Sequence, residues 1–410
     1  MKRWLLSLTS DSPVAVGASR ARGFHVPTYP YIPGGTLRGA LAGAWLSRFG
    51  DPGDHDAIFE RQVADVLVGP ATSTAATQVP LDRLVCKYRP LPACAATALK
   101  DDVTRTDCPA CGGPLEPSKG TWSGVRLERS TRTALDREET ALEGNLYSRE
   151  ALSSHQTFQA EAWAEDLSWL EGIPAVRVGG RRTVGGRMAI SVEQREPEPP
   201  NVSGTTLSVR CLAPTVLLDG YGTTSLRPSP MDLERALRAA PAPAARLVGS
   251  WTRPGTVGGW HAQGCLPKAT EVCAVAGSVF EIDLGRAATP EDALAVERAG
   301  LGVRRGDGYG WVTTRPWSSR SLDVSSAAEE GYEGIRRVAQ AVQDVHPDLV
   351  RRCLGWLRAG VTLRTVDEAA AFTDLTPTAR AACQDVLAFN DPPIDDRRKR
   401  ALIIALEVRS

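Results

Sequence analysis

The chain has 410 residues, 42% of them hydrophobic, and its 48 Lys+Arg are matched by 48 Asp+Glu. That length allows two or three domains with sizeable cores, and the zero balance excludes a free-standing nucleic-acid clamp that works by bulk positive charge. The sequence has no apolar run of about 18 residues, the length a membrane helix needs, and the run in "MKRWLLSLTSDS" is too short for a secretory signal, so a cytoplasmic protein is expected.

The predicted elements begin with a strand over residues 2–9, which sets Trp4, Leu6 and Leu8 on one face. A loop containing Pro33-Gly34-Gly35 leads to a helix with Thr36 as its cap, Leu37, Ala40, Leu41, Ala44 and Trp45 along one face, and Gly50 as its stop. Residues at about 80–120 read as a cysteine-rich insertion, and residues at about 124–148, rich in Arg and Thr, as a long β-hairpin. "HQTFQAEAWAEDLSWL" supplies another strand, and "REPEPPN" at 195–201 is a linker by composition. A second unit follows with strands in "TLSVRCLAPTVLLDGYG" and "GSVFEIDL". Its helices are "SPMDLERALRAA", capped by Ser229, and "TPEDALAVERAG", capped by Thr289. After "WSSRSLDVSS" the chain turns helical. One stripe holds Tyr332, Ile335, Val338, Ala339 and Val342, another Leu349, Cys353, Leu354 and Leu357, and Thr376-Pro377 opens a further helix.

Four of the nine cysteines cluster as Cys86, Cys94, Cys108 and Cys111, the last two in "CPACGG". A C-x-x-C pair before Gly-Gly forms a tight knuckle, and four thiolates satisfy a closed tetrahedral Zn²⁺ site, which is structural because no position stays open. The other readings are a redox pair at Cys108 and Cys111, or cysteines that bind no metal. Cys211, Cys265, Cys273, Cys353 and Cys383 read as buried packing residues. The histidines His25, His55, His155, His261 and His346 fall into no metal or triad pattern, and Asp51, Asp54 and Asp56 read as a solvated turn.

Two loops share the pattern G-x-R-R-x-x-G: Gly179, Gly180, Arg181, Arg182 and Gly185 in "VRVGGRRTVGGRMAISV", and Gly302, Arg304, Arg305 and Gly308 in "LGVRRGDGYGWVT". Repetition at matched spacing points to two copies of one structural unit. Glycine lets a ligand backbone approach and allows positive φ, while adjacent arginines point to opposite sides, one to grip phosphate and one to anchor the loop. In this alignment Gly186 and Arg187 stand opposite Tyr309 and Gly310. The Gly34-Gly35-Thr36-Leu37-Arg38 turn at a helix N-terminus reads either as a further anion site, with Arg38 as its charged fork, or as a turn that holds no ligand.

"YIPGGTLRGALAGAW" resembles the strand-to-helix segment of RAMP proteins, the RNA-binding subunits of CRISPR-Cas effectors, and the two glycine-arginine loops resemble the RAMP glycine-rich loop, present once per domain. "RTALDREETALEGNLYSREAL", followed by Phe158, is similar to the central region of the large tandem-RAMP subunit of type III-D systems. The resemblance covers approximately residues 1–315. It implies an α+β fold of two ferredoxin-like (RRM-like) β-α-β-β-α-β domains with facing sheets: 1–195, carrying the zinc-binding insertion and the hairpin, and 202–315, with 326–410 as a C-terminal helical region that it does not explain. It further implies a non-catalytic subunit of a type III effector that caps the 5′ repeat-derived handle of crRNA in antiviral defence. Its neighbours would be the large signalling subunit, the RAMP backbone subunits and target RNA. By the same resemblance, Gly179, Gly180, Arg181, Arg182, Gly185, Gly302, Arg304, Arg305, Gly308, Tyr309 and Gly310 would line the handle site. Gly34, Gly35 and Arg38 would touch its phosphates, and Arg126, Arg129, Arg132 and Arg137 would form a thumb beside the guide.

Tyr29, Tyr31, Trp260 and Tyr309 are candidate platforms on which unpaired bases stack. Two other functions stay open. A RAMP endoribonuclease would process pre-crRNA or cut target RNA with His25 and Asp136 as its best acid–base candidates, and a zinc-stabilised scaffold would hold partners without touching RNA.

Overall fold

The computed structural model describes residues 1–17, 25–53, 57–88, 97–99, 106–108, 112–135, 140–180, 185–238, 241–242, 244–261 and 266–317, and in the tail 338, 341–342, 347–362, 375–390, 402, 403 and 406. Two compact units emerge, one of Met1–Val85, Thr97–Thr104 and Glu116–Ser319, the other of Cys86–Ala96, Arg105–Leu115 and Arg320–Ser410.

In the first unit, β1 (Lys2–Ser10) buries Trp4, Leu6 and Leu8, as the alternation of the sequence requires. Helix α1 (Gly34–Phe49) covers that face with Leu37, Ala40, Leu41 and Trp45. It starts three residues earlier than a Thr36 cap would place it: Pro33 is the N-cap and supplies no side-chain bond. Gly50 ends it at φ 87° and donates its N–H to Leu46 O at 2.9 Å. The chain continues through β2 (Leu67–Val68), a long hairpin of β3 (Leu127–Leu135) and β4 (Ala141–Leu152), then β5 (Thr157–Ala164), β6 (Ala175–Arg177) and β7 (Arg187–Arg195). The sheet order is β6-β7-β1-β5-β2. Without β6 this is the 4-1-3-2 order of a ferredoxin-like β-α-β-β-α-β unit. Its second helix has shrunk to the 3₁₀ turn Ser168–Leu170, which Gly172 and Pro174 cut short while Trp169 and Leu170 stay buried.

The second sheet repeats the plan with both helices present. The elements are β8 (Thr206–Cys211), α2 (Pro230–Ala236), β9 (Arg246–Trp251), a hairpin of β10 (Pro254–His261) and β11 (Leu266–Ala274), β12 (Val279–Asp283), α3 (Pro290–Ala299) and β13 (Val312–Thr313). The order β9-β12-β8-β13 is again 4-1-3-2. Ser229 and Thr289 cap α2 and α3 as expected, each in a reciprocal capping box with Asp232 or Asp292. Leu207, Val209, Phe280 and Ile282 meet Leu233, Ala236 and Val296 in its core.

In the tail, α4 (Pro347–Ala359) and α5 (Pro377–Leu387) bury Leu349, Cys353, Leu354 and Leu357 against Ala382, Cys383 and Val386. Thr376 caps α5, accepting from Ala379 N–H at 3.2 Å. Tyr332, Ile335 and Ala339 lie outside the described residues. Among the described residues no helix is long and apolar enough to cross a membrane.

Candidate nucleic-acid interface

The glycine loops are the same backbone device built twice. In the first, Gly186 N–H donates to Pro13 O (2.9 Å), Gly180 N–H to Ala15 O (2.9 Å) and Val178 N–H to Gly186 O (2.8 Å). In the second, Gly310 N–H donates to Pro214 O (2.9 Å), Val303 N–H to Val216 O (2.9 Å) and Leu301 N–H to Gly310 O (3.1 Å). Pro13 thus answers to Pro214, Gly179 to Gly302 and Gly186 to Gly310. The last pairing corrects the sequence alignment, which set Gly186 opposite Tyr309, because the second loop is one residue longer. Gly179 and Gly302 sit at φ 82° and 73°, where a Cβ would run into the carbonyls of Ala15 and Val216. Glycine is required there by the chain's own close approach. A Cβ on Gly185 would lie 2.9 Å from Pro13 O.

The hairpins are duplicated as well. Val14 and Leu152 exchange both backbone bonds at 2.9 Å, and Thr215 and Ala274 do so at 2.8 and 2.9 Å, so each hairpin ends beside its own glycine loop. On one face of the first hairpin, Arg132 lies opposite Tyr147 and Ser130 opposite Arg149. A Cβ on Gly180 would sit 3.4 Å from the Arg149 guanidinium, so that face continues into the first loop. Arg126, Arg129 and Arg132 are exposed, and Arg126 also donates to His155 O at 2.9 Å. Arg129 is on the opposite face, paired with Glu150 at 3.2 Å. Arg137, Arg181 and Arg182 lie outside the described residues.

In the second loop the arginines take separate paths. Arg305 is half-buried, with its guanidinium carbon 4.9 Å from the Trp311 ring centre and Nη1 donating to Tyr309 O at 3.4 Å; desolvation draws its pKa down to about 10. Arg304 stands at φ 61° and faces Glu271, Nε to Oε2 at 2.8 Å and Nη2 to Oε1 at 3.0 Å. Lys268 pairs with Asp307 at 2.8 Å, and the Tyr309 hydroxyl donates to Gly258 O at 3.0 Å. These contacts tie the loop to β10 and β11.

The same loop docks on α1. A Cβ on Gly308 would overlap the backbone of Gly34 and Gly35, one on Gly35 the carbonyl of Asp307, and one on Gly34 the carbonyl of Val68. The Gly-Gly start of α1 is therefore filled by protein backbone on two sides. Arg38 lies against Gly306 and donates weakly to Ala64 O at 3.5 Å. Tyr31 is buried, packed between the tilted rings of Tyr29 (5.3 Å between ring centres) and Trp122 (5.6 Å), which removes it as an open stacking platform. Tyr309 is half-buried, and burial raises its phenol to about 12. The side chain of Trp260 lies outside the described residues.

His25, from the two-residue strand His25–Val26 beside β4, has Nδ1 at 3.0 Å from Ser148 Oγ and Nε2 at 3.3 Å from Glu150. Both ring nitrogens are engaged, so in this arrangement neither is open to a ribose hydroxyl. Asp136 lies outside the described residues.

In the second unit, Cys86 and Cys108 are buried, while Cys94 and Cys111 lie outside the described residues. Gly112, at φ 67°, donates to Cys108 O at 2.8 Å, and Cys108 N–H donates to Gly113 O at 2.7 Å. Lys87 N–H donates to Pro114 O at 3.0 Å and brings the Cys86 strand to this turn. Among the described residues no group of three metal-ligating side chains occurs.

The sequence reading missed the second hairpin, Arg149 and Glu271. The signals for the hairpin were there: "SPVAV" and "APTVL" each follow a first strand, and Gly258-Gly259 interrupts an alternating run. Glu271 had none, because its pairing depends on a register that shifts between Val257 and Gly259.

Residues 7–186, from β1 to the last glycine of the first loop, match the RAMP superfamily sequence model. No curated protein matches the chain. Similar solved chains include one from a type III-B Cmr-beta complex bound to cognate target RNA and AMPPnP, at 11% identity and TM-score 0.38 over 68% of this chain and 86% of that one. Another, from a RAMP protein binding different RNA substrates, has 10% identity and TM-score 0.33 over 77% and 100%. Cmr4 from Pyrococcus furiosus has 13% identity and TM-score 0.23 over 47% and 99%. Scores of that size carry no functional argument, so the assignment rests on the sequence match and on the strand order described above. Over residues 7–186, somewhat under half of its length, the chain is similar to the RAMP superfamily.

Proposed function

We propose that this protein is a non-catalytic, RNA-binding subunit of a type III CRISPR-Cas effector, of the tandem III-D kind, that caps the 5′ handle of crRNA and contacts other Cas subunits in antiviral defence. The observation that carries the reading is the duplicated unit: two ferredoxin-like sheets, each with a hairpin ending beside a glycine loop, in a chain whose residues 7–186 match the RAMP superfamily model. The exposed hairpin face with Arg126 and Arg132, continued by Arg149 toward Gly180, offers phosphate donors along one line. Arg129 adds a cation on the hairpin's other face, and by the sequence resemblance Arg137, Arg181 and Arg182 would contribute further phosphate donors. At the second loop, Gly302, Arg304, Gly308, Tyr309 and Gly310 shape the boundary of the RNA path, and Arg305 anchors it. Gly34, Gly35 and Arg38 belong to the same boundary through their contact with Asp307 and Gly306.

The cysteine turn fits a structural zinc ion held by Cys86, Cys94, Cys108 and Cys111. Its glycine-closed knuckle and adjacent Cys86 strand suit four thiolates, and the ion would supply folding free energy to the insertion. The engaged nitrogens of His25 favour capping over cleavage. The test is a titration of full-length protein with labelled crRNA bearing its 5′ handle. Tight, salt-sensitive binding without cleavage is expected; no binding, or cleavage lost in His25→Ala, would replace this reading with the scaffold or the ribonuclease.

A further inference from the structure

At the second loop, Arg304 and the neighbouring Lys268 of β11 are already matched by carboxylates. Arg304 presents two nitrogens to the two oxygens of Glu271 (2.8 and 3.0 Å), and Lys268 holds Asp307 at 2.8 Å. All four side chains are between 24 and 32% exposed, neither sealed in the core nor freely solvated. Arg38 of the first domain reaches the same turn at Gly306. Arg304 also holds a left-handed backbone, which a residue with a Cβ adopts only when its surroundings impose it. A guanidinium fork binds carboxylate and phosphate in the same planar geometry, so the seat Glu271 fills is one a phosphate fits.

Resting on the RNA-binding reading, we infer that Glu271 and Asp307 are built-in competitors of RNA, occupying Arg304 and Lys268 in the empty protein and giving them up to backbone phosphate when a strand lies across the loop. The exchange keeps Arg304 and Lys268 partnered, while the released Glu271 and Asp307, each about a quarter exposed already, turn to solvent; unpairing those two carboxylates is the cost that RNA binding has to offset. It also couples binding to the hairpin. With the two ion pairs exchanged, the Tyr309 hydroxyl on Gly258 and the packing of Val303 and Tyr309 against Val257 and Cys273 still tie the loop to the hairpin. The acids therefore set affinity and discriminate against short or singly charged anions, because a ligand has to displace both carboxylates.

The experiment uses the full-length chain, fluorescence anisotropy and a fluorescein-labelled single-stranded oligoribonucleotide, with thermal melts of every variant. Glu271→Gln, which keeps the shape and removes the charge, is expected to tighten binding roughly fivefold at low salt and to steepen the salt dependence of log K by about 0.7, the value of one further phosphate contact on a single strand. Asp307→Asn is expected to act in the same direction and serves if Glu271→Gln melts early. The gain should vanish in Glu271→Gln/Arg304→Ala relative to Arg304→Ala alone. Folded variants that bind no more tightly than a wild type that does bind RNA would overturn the competition alone. Wild type and variants that all fail to bind would overturn the RNA-binding reading with it.

Discussion

The two glycine loops share one hydrogen-bonding pattern and put their surroundings to different uses. The first closes on Pro13 and Ala15 of its own domain and borders an exposed hairpin face with Arg132 and Arg149. The second closes on Pro214 and Val216, then packs its Asp307–Gly308 turn on the start of α1 and spends Arg305 on Trp311. Duplication conserved the backbone solution, since only glycine permits those approaches. The side chains then diverged, one copy bordering open surface, the other joining the two domains.

The largest expected effect tests the joint. Gly308→Ala adds a Cβ inside the backbone of α1 and combines left-handed strain with overlap, so a loss of about 3 kcal/mol or more is expected in denaturant unfolding. Gly204→Ala, at φ 79° but in open space, isolates the strain and should cost about 1 kcal/mol. Equal losses would show that the docking contributes nothing. Next, Arg305→Ala strips packing from Trp311 and is expected to cost about 2–3 kcal/mol, whereas Arg304→Ala, in a half-exposed ion pair, should cost about 1 kcal/mol or less. Thermal melts that rank the two the other way would reverse the roles given to them.

Smaller still is a pH effect on α3, whose counterpart in the first domain is only the 3₁₀ turn Ser168–Leu170. Hydrogen bonds from Arg286, then those of the capping box, hold the Asp292 carboxyl below its ordinary range. A carboxyl with a depressed folded pKa stabilises at neutral pH, and that contribution is lost as pH falls through about 4 and below. Asp292→Asn should lower stability by about 1 kcal/mol at pH 7, with the gap to wild type closing toward pH 3. A gap unchanged by pH would mean that the cap acts through shape alone.

Much of this plan was legible in the sequence because it rests on local rules. Trp4, Leu6 and Leu8 alternate, Ser229-Pro230 and Thr289-Pro290 announce capped helices, and the repeated glycine-arginine spacing announced two copies. What escaped depends on long-range register. A one-residue difference in loop length moved the true partner of Gly186 from Tyr309 to Gly310. The inward turn of Arg305 follows from Trp311, a neighbour that spacing alone does not single out. Glu271 meets Arg304 only because a bulge resets the pairing of β10 and β11. The first helix start also shifted, since Gly34 and Gly35 answer to the carbonyls of Val68 and Asp307 rather than to a cap at Thr36.

The most direct test of RNA binding along the first hairpin is ultraviolet crosslinking of full-length protein to crRNA, with the crosslinked peptides mapped by mass spectrometry. Adducts should concentrate in residues 126–152 and 176–187 and appear more weakly around 302–310. Adducts confined to the helical tail, with both glycine loops unmarked, would contradict it.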